Sequence, residues 1–565
     1  MYILGINAVF HESAACLLEN GKILASAEEE RFNRIKHGKP ANLDNPDELP
    51  WQAIQYCLDS AGVELKQIGH IGYSFNPRIK SNPLFTEEYK DDEDLLEKTL
   101  LHIPEKLKEI GFQGEFHWVN HHTAHAASAY YVSPFQDAAI LVVDGTAESS
   151  STSFFSAKNN QLKLLQEILY PASLGALWEL FSVFLGFDGY DAAKVMGLAA
   201  YGNPNRYAEH FKQIVRMVPN GQFEMDNELL HVETIEYYPP SGYFQGLEEL
   251  FSIKNREPGQ AFTPAHQDIA ASLQAITDDI VLDMTQHLYQ LVQSDNLCLA
   301  GGVALNCVSN TVAFEKGPFT HLFVQPAAHD GGTALGSAFY IWNHVLGNEP
   351  REQMTHAYLG PSFTDSDMDN ILQKHQLIYK RTDNIEKEVA QLISENNIVG
   401  FFQGRMELGP RALGNRSLLA DPRHPNMREI FNLKVKHREY FRPLAPSVLH
   451  EEANNWFTIT KETSAAEFML MAYPVKPSMK EKIPAVVHVD GTSRVQRVKK
   501  EANPRYHQLI SEFYRISGVP IVLNTSFNDS EPIVCTPQDA INTFLATEID
   551  YLAMGNFLVS KADNR

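Results

Sequence analysis

A buried strand that runs into a polar turn and then a hairpin occurs twice in this sequence. That repetition constrains the fold more than any other feature. The first copy is Tyr2-Ile-Leu-Gly-Ile-Asn7, followed by Ser13-Ala-Ala-Cys-Leu-Leu18 and Lys22-Ile-Leu-Ala-Ser26, with Asn20-Gly21 as the hairpin turn. The second is Ala139-Ile-Leu-Val-Val-Asp144, leading through Gly145 to Ser151-Thr-Ser-Phe-Phe155, the turn-like Lys158-Asn-Asn160 and Leu162-Lys-Leu-Leu-Gln-Glu-Ile168. The pattern predicts an α/β fold with two related halves, each built on a sheet, facing each other across a nucleotide cleft.

The chemistry collects at the ends of these strands. In His121-His122-Thr123-Ala124-His125, Asn120 is the expected N-cap and Ser133-Pro134 stops the helix, so His121 and His125 lie four apart on one face. Asp144 ends a buried strand, at the edge where open α/β sheets place their ligands. Two imidazoles and a carboxylate read as a site for one divalent cation, although the same histidine spacing also arises from two unrelated residues. Asn296-Leu-Cys-Leu-Ala300 predicts a further strand, and Gly301-Gly302 after it lets backbone approach a ligand with a helix N-terminus behind it. After the strand Leu322-Phe-Val324 comes His329-Asp330-Gly331-Gly332, in which Asp330 reads either as a fourth metal ligand or as a helix N-cap.

Past residue 345 the character changes. Gly347-Asn-Glu-Pro350 and polar sequence to about residue 370 predict an interdomain connection. Beyond it, nine basic residues (Arg405, Arg411, Arg416, Arg423, Arg428, Lys434, Lys436, Arg438, Arg442) meet four acids between 403 and 443, a local +5 in a chain at -23. They sit on turns after the strand Ile398-Val-Gly-Phe-Phe402, which suits polyphosphate binding, and Arg494 with Asn524-Thr-Ser-Phe-Asn528 completes the expected pocket. This cluster lies more than a hundred residues beyond Gly301-Gly302 and has its own strands, so two separable sites are expected.

Composition removes several classes. With 44% hydrophobic and 21% charged residues the chain folds, and its acidic balance counts against nucleic acid or an anionic membrane as partner. The five scattered cysteines without a C-x-x-C point to a reducing compartment without structural zinc. Neither a basic leader nor a membrane-length apolar run is present, and the expected location is cytoplasmic.

The chain resembles the O-carbamoyltransferases of natural-product biosynthesis, the family of the tobramycin, cephem and nodulation-factor carbamoyltransferases. The resemblance rests on Gly5-Ile-Asn-Ala-Val-Phe-His11, the His121/His125/Asp144 spacing, Lys194-Val-Met-Gly-Leu-Ala-Ala-Tyr-Gly202 and Gly301-Gly-Val-Ala-Leu-Asn306. It continues through His329-Asp-Gly-Gly332, the segment from Gly404 to Ser417, and Lys436-His-Arg-Glu-Tyr-Phe-Arg-Pro443. It implies an actin-like, duplicated ATPase-type domain in residues 1–350, a linker in 351–370, and a C-terminal α/β domain in 371–565 similar to the threonylcarbamoyl-adenylate synthase fold. Two reactions follow from it: ATP and carbamoyl phosphate give carbamoyl adenylate, and the carbamoyl group then moves to a hydroxyl of a small-molecule acceptor. The resemblance makes His11 the general base. It places His121, His125, Asp144 and Asp330 around a metal, iron(II), with Mg2+ accompanying ATP. Lys194, Gly197, Gly301, Gly302 and Asn306 lie along the nucleotide of the transfer domain. Arg411, Lys436, Arg442, Arg494 and Ser526 hold carbamoyl phosphate and ATP. Glu12 departs from the family pattern, where Asp is expected. Two other readings are transfer of a carbamoyl or threonylcarbamoyl group to tRNA and a non-catalytic, nucleotide-gated chaperone on the actin-like plan.

Overall fold

The computed structural model describes residues 1–39, 45–80, 90–232 and 242–564. Strands β1 (Tyr2–Asn7), β2 (Ala14–Glu19) and β3 (Lys22–Glu28) form an antiparallel meander. β1 then pairs in parallel with β4 (Ile68–Tyr73), and β4 with β5 (Glu115–Trp118). The second sheet repeats this plan. β6 (Asp137–Val143), β7 (Ser150–Lys158) and β8 (Gln161–Leu169) form the meander, and β6 pairs in parallel with β9 (Asn296–Ala300), which pairs with β10 (His321–Val324). The orders β3-β2-β1-β4-β5 and β8-β7-β6-β9-β10 match strand for strand, so the repeat in the sequence is a repeat in topology. This is the duplicated, actin-like arrangement.

The described helices that position the site are α1 (His121–Tyr130), α2 (Leu174–Phe184), α3 (Ala192–Ala199), α4 (Pro264–Val292), α5 (Cys307–Glu315) and α6 (Thr333–Phe339). α6 lies against β1 and α1, and α1 lies against β6 and β9, so the two sheets sandwich a helix pair. Gly5 and Gly336 permit this closeness, because a Cβ at either would sit 1.8 Å from a carbonyl oxygen, of Ala334 or Ala124. On the other side of the second sheet α4 packs on β6 and α3. Its N-terminus is set by Pro264 at the first turn and by Thr263, whose side chain accepts from the His266 amide.

The C-terminal part is built on a mixed sheet of eight strands: β11 (Tyr379–Arg381), β12 (Val399–Phe402), β13 (Arg416–Ala420), β14 (Ala445–Leu449), β15 (Gln496–Val498), β16 (Ile521–Ser526), β17 (Tyr551–Met554) and β18 (Phe557–Ser560). Their order is β11-β18-β17-β12-β13-β16-β14-β15. Residues between 350 and 365, read from sequence as polar connection, are a packed strap. Met354, Ala357 and Leu359 are buried among polar neighbours, and a helix begins at Asp365. Backbone bonds tie the strap to both parts: the Ser26 amide donates to Leu359, and the Leu408 amide to Ala357. Buried Arg31 and Glu28 add a latch, since Arg31 donates to the Gly409 carbonyl and the Gly409 amide donates to Glu28, each at 2.8 Å. No described helix is long and apolar enough to cross a membrane.

Candidate active site

His121 and His125 lie on α1, Asp144 just beyond β6, and Asp330 after β10. Four donor atoms from these residues converge. His125 Nε2 is 2.9 Å from Asp144 Oδ2 and 3.4 Å from Asp330 Oδ1, while His121 Nε2 is 3.5 and 3.4 Å from the same atoms. His121 Nε2, His125 Nε2 and Asp144 Oδ2 are buried and make no hydrogen bond. The surrounding groups aim them. His121 Nδ1 faces the Ser74 carbonyl at 3.0 Å and must donate to it, which leaves the Nε2 lone pair for the cluster. Asp144 Oδ1 accepts from the Gly302 amide at 3.0 Å, which turns Oδ2 inward. That amide is delivered by Gly301, whose φ of +89° and contact with the Val143 carbonyl exclude a side chain. Burial opposes charge on both imidazoles, but Asp330 beside His121 and Asp144 beside His125 outweigh it and hold both above the ordinary histidine range. Burial likewise works against the two aspartates, and His125 beside Asp144 and His121 beside Asp330 hold both below the ordinary carboxylate range. A divalent cation held by these four atoms would take the place of those protons, and two nitrogen with two carboxylate donors suit a first-row transition metal. His122, between the two, faces Ser153 Oγ at 2.7 Å instead, and burial pushes it down to about 3.

Two expectations change here. Asn120 occupies the N-cap position of α1, but its side chain makes no capping bond. Glu148 does this instead, accepting from the His121 amide at 2.9 Å and placing a carboxylate at the positive end of the helix. Asp330 was open to a capping reading, yet the cap there is His329, which accepts from the Gly331 amide, so the Asp330 carboxylate is left for the cluster.

A cavity of about 490 Å³ opens beside this cluster, with His11, Asp144, Gly302, Asn306, Asp330 and Arg411 among its walls. His11 sits on a turn that Asn7 holds closed by donating to the carbonyls of His11 and Glu12 at 3.2 and 3.0 Å. Glu12 adopts a left-handed backbone, φ +54°, and its carboxylate reaches His37 Nδ1 at 2.6 Å. The extra reach of glutamate over aspartate is used on His37. Burial opposes ionisation of Glu12, but His329 and then His37 bring it down to about 2, and Glu12 in turn raises His37 against its own burial. Tyr190 lies between the two imidazoles, its ring centre 4.9 Å from each. Asn306 caps α5 through Oδ1 and donates to Gln274 at 3.0 Å.

Arg411 belongs equally to a second group. It lies with Arg438, Arg442 and Arg494, and all four are half-buried. Burial and then the neighbouring arginines push Arg411 and Arg438 down to about 9, and burial lowers Arg442 and Arg494 as well. Arg411 Nε and Arg494 Nε are buried without a hydrogen bond. Grouped guanidinium ions with unspent donors call for a polyanion. Lys436 and Ser526 are also brought together, but the ammonium is already engaged: it donates at 2.6 Å to the Ser526 carbonyl and to both oxygens of Asn528. Lys194 and Gly197 stand apart from the cavity. Lys194 pairs with Asp191 at 2.7 Å and faces a neighbouring polar cleft of about 1350 Å³, and Gly197 lies against Pro443 and Phe441.

The carbamoyltransferase N-terminus family matches residues 2–339, and the carbamoyltransferase C-terminus family matches residues 390–561. The chain belongs to the carbamoyltransferase family. Nodulation protein NolNO of Sinorhizobium fredii is 37% identical over 98% of this chain and 80% of its own. An uncharacterized protein of Synechocystis sp. is 36% identical over 99% and 97%, and nodulation protein U of Rhizobium tropici is 26% identical over 94% and 91%. Among solved structures, HypF of T. kodakarensis aligns with 61% of this chain and 48% of its own at 15% identity, TM-score 0.33.

In this carbamoyltransferase, sequence reasoning missed Glu148, His37, Tyr190 and Arg438. Glu148 caps its helix from 27 residues downstream and His37 meets Glu12 from 25 away, so no local pattern marks either. Arg438 stands in the basic run, where spacing alone does not distinguish it from the other cations.

Proposed function

We propose that this carbamoyltransferase makes carbamoyl adenylate from ATP and carbamoyl phosphate and passes the carbamoyl group to a hydroxyl of a small molecule. One observation carries the reading: Arg411 belongs both to the unpaired arginine cluster and to the wall of the cavity that holds His11 and the four-donor cluster.

Water releases inorganic phosphate from carbamoyl phosphate, and an oxygen of the carbamate left behind attacks the α-phosphorus of ATP and expels pyrophosphate; Arg411, Arg438, Arg442 and Arg494 oppose the negative charge that gathers there with cations fixed before the reaction starts. Lys436, tied to Ser526 and Asn528, anchors the loop beside them. In the transfer step His11 takes the acceptor's hydroxyl proton as the new C–O bond forms and AMP leaves. The Glu12–His37 pair keeps a second imidazole charged in the same cavity. His121, His125, Asp144 and Asp330 would hold a divalent ion, iron(II) by family resemblance, which when bound polarises the carbonyl or phosphate as a Lewis acid. Mg2+ accompanies ATP. We infer a small acceptor rather than tRNA, because the chain carries -23 and the grouped Arg411, Arg438, Arg442 and Arg494 are half-buried rather than exposed. All five cysteines are free and buried, which is compatible with the cytoplasm.

The test is product analysis with ATP and carbamoyl phosphate. Pyrophosphate should appear only when both substrates are present, and AMP when an acceptor alcohol is added as well. Pyrophosphate release that ignores carbamoyl phosphate, or none at all, contradicts the proposal.

A further inference from the structure

Away from the cavity, three donor atoms meet at the outer edge of the first sheet. Among the described residues β5 is the edge strand and pairs with β4 alone. The parallel register sets His70 opposite Glu115 and Gly72 opposite His117. Residues two apart on a strand share a face, so His70, Glu115 and His117 rise from the same side of the sheet.

Their geometry is that of a ligand triangle. His70 Nδ1 is 3.1 Å from His117 Nε2, and Glu115 Oε2 is 3.6 Å from the first and 3.8 Å from the second. An ion with four tetrahedral bonds of about 2.0–2.2 Å spaces its ligands about 3.3–3.6 Å apart. The two imidazoles face each other nitrogen to nitrogen, a contact at which one ring must offer a lone pair. Both histidines are mostly covered, 13% and 21% exposed, so strand packing holds them; Glu115 is 74% exposed and free to close on an ion.

We propose that His70, Glu115 and His117 form a second metal site, for a divalent first-row transition ion such as zinc, with water at the fourth position. Two imidazoles discriminate against Mg2+ and Ca2+, which prefer oxygen. The ion clips a four-residue edge strand to β4, at the place where sheets are most exposed to mispairing. This site does not depend on the proposed reaction.

The experiment is zinc titration of the full, chelator-stripped chain by calorimetry, comparing the unmodified protein with His117→Asn and repeating the pair in a His125→Ala background. In both backgrounds the chain with His117 should bind one more zinc per molecule, unaffected by excess Mg2+, and should gain thermal stability that the His117→Asn chain lacks. Glu115→Gln should weaken that zinc by roughly tenfold or more, since even outer partners of a metal cost that much. Equal stoichiometry with and without His117, or displacement by Mg2+, overturns the site.

Discussion

His11 lies in a wall it shares with Asp144, Asp330 and Arg411, and an alcohol entering there needs a base near neutral pH. General-base catalysis is typically worth about 10²–10⁴-fold, so His11→Ala should slow carbamoyl transfer by that factor while pyrophosphate release persists. An unchanged transfer rate removes His11 from the mechanism. Glu12 lends itself to a pH test. Held below the ordinary 4.5, at about 2, chiefly by His329 and His37, it stabilises the fold fully above pH 4.5 and loses that contribution as pH falls toward 2. His37 is raised above the ordinary 6.5, so its share is full below 6.5 and lost as pH climbs past the raised value. The stability gap between the unmodified chain and Glu12→Gln should therefore be widest between pH 4.5 and 6.5, measured by urea unfolding. A gap that does not vary with pH contradicts the pairing.

At the scale of elements, α1 is the part on which the four-donor cluster depends, and Glu148 fixes its start. Glu148→Ala should cost about 1–2 kcal/mol in unfolding free energy, the usual loss of a helix cap, and should weaken bound metal. Stability unchanged within error means the cap is dispensable. His125→Ala should lose metal and transfer yet still release pyrophosphate, because the arginines lie on other elements; full transfer by metal-free protein contradicts the role of the cluster. Much of this element level was legible beforehand. The meanders, the α1 histidines and the strand-end aspartates follow from apolar runs and their punctuation, which are local signals. What was not legible depends on tertiary distance: the cap from Glu148, the Glu12–His37 contact, and the strap at 354–359, whose three inward apolar side chains are hidden among polar ones. Lys194 is held at the neighbouring cleft by Asp191 and by Glu439, a partner that no local pattern joins to it.

For the whole molecule, the arginine group and the cavity beside the four-donor cluster meet at Arg411. The latch of Arg31 and Glu28 on Gly409 brings the 405–411 loop to the first sheet, and Arg411 is carried into the cavity with it. Arg442→Ala should abolish adenylate formation yet still use supplied carbamoyl adenylate at close to the unmodified rate. Arg411→Ala should impair both steps, as a residue of one site only would not. The most direct test of the account is to look for the intermediate itself. His11→Ala protein given ATP and carbamoyl phosphate should accumulate carbamoyl adenylate, detected by mass spectrometry, with pyrophosphate in equal amount. If it yields ADP instead of pyrophosphate, with no adenylate, the cavity performs a different reaction and the account fails.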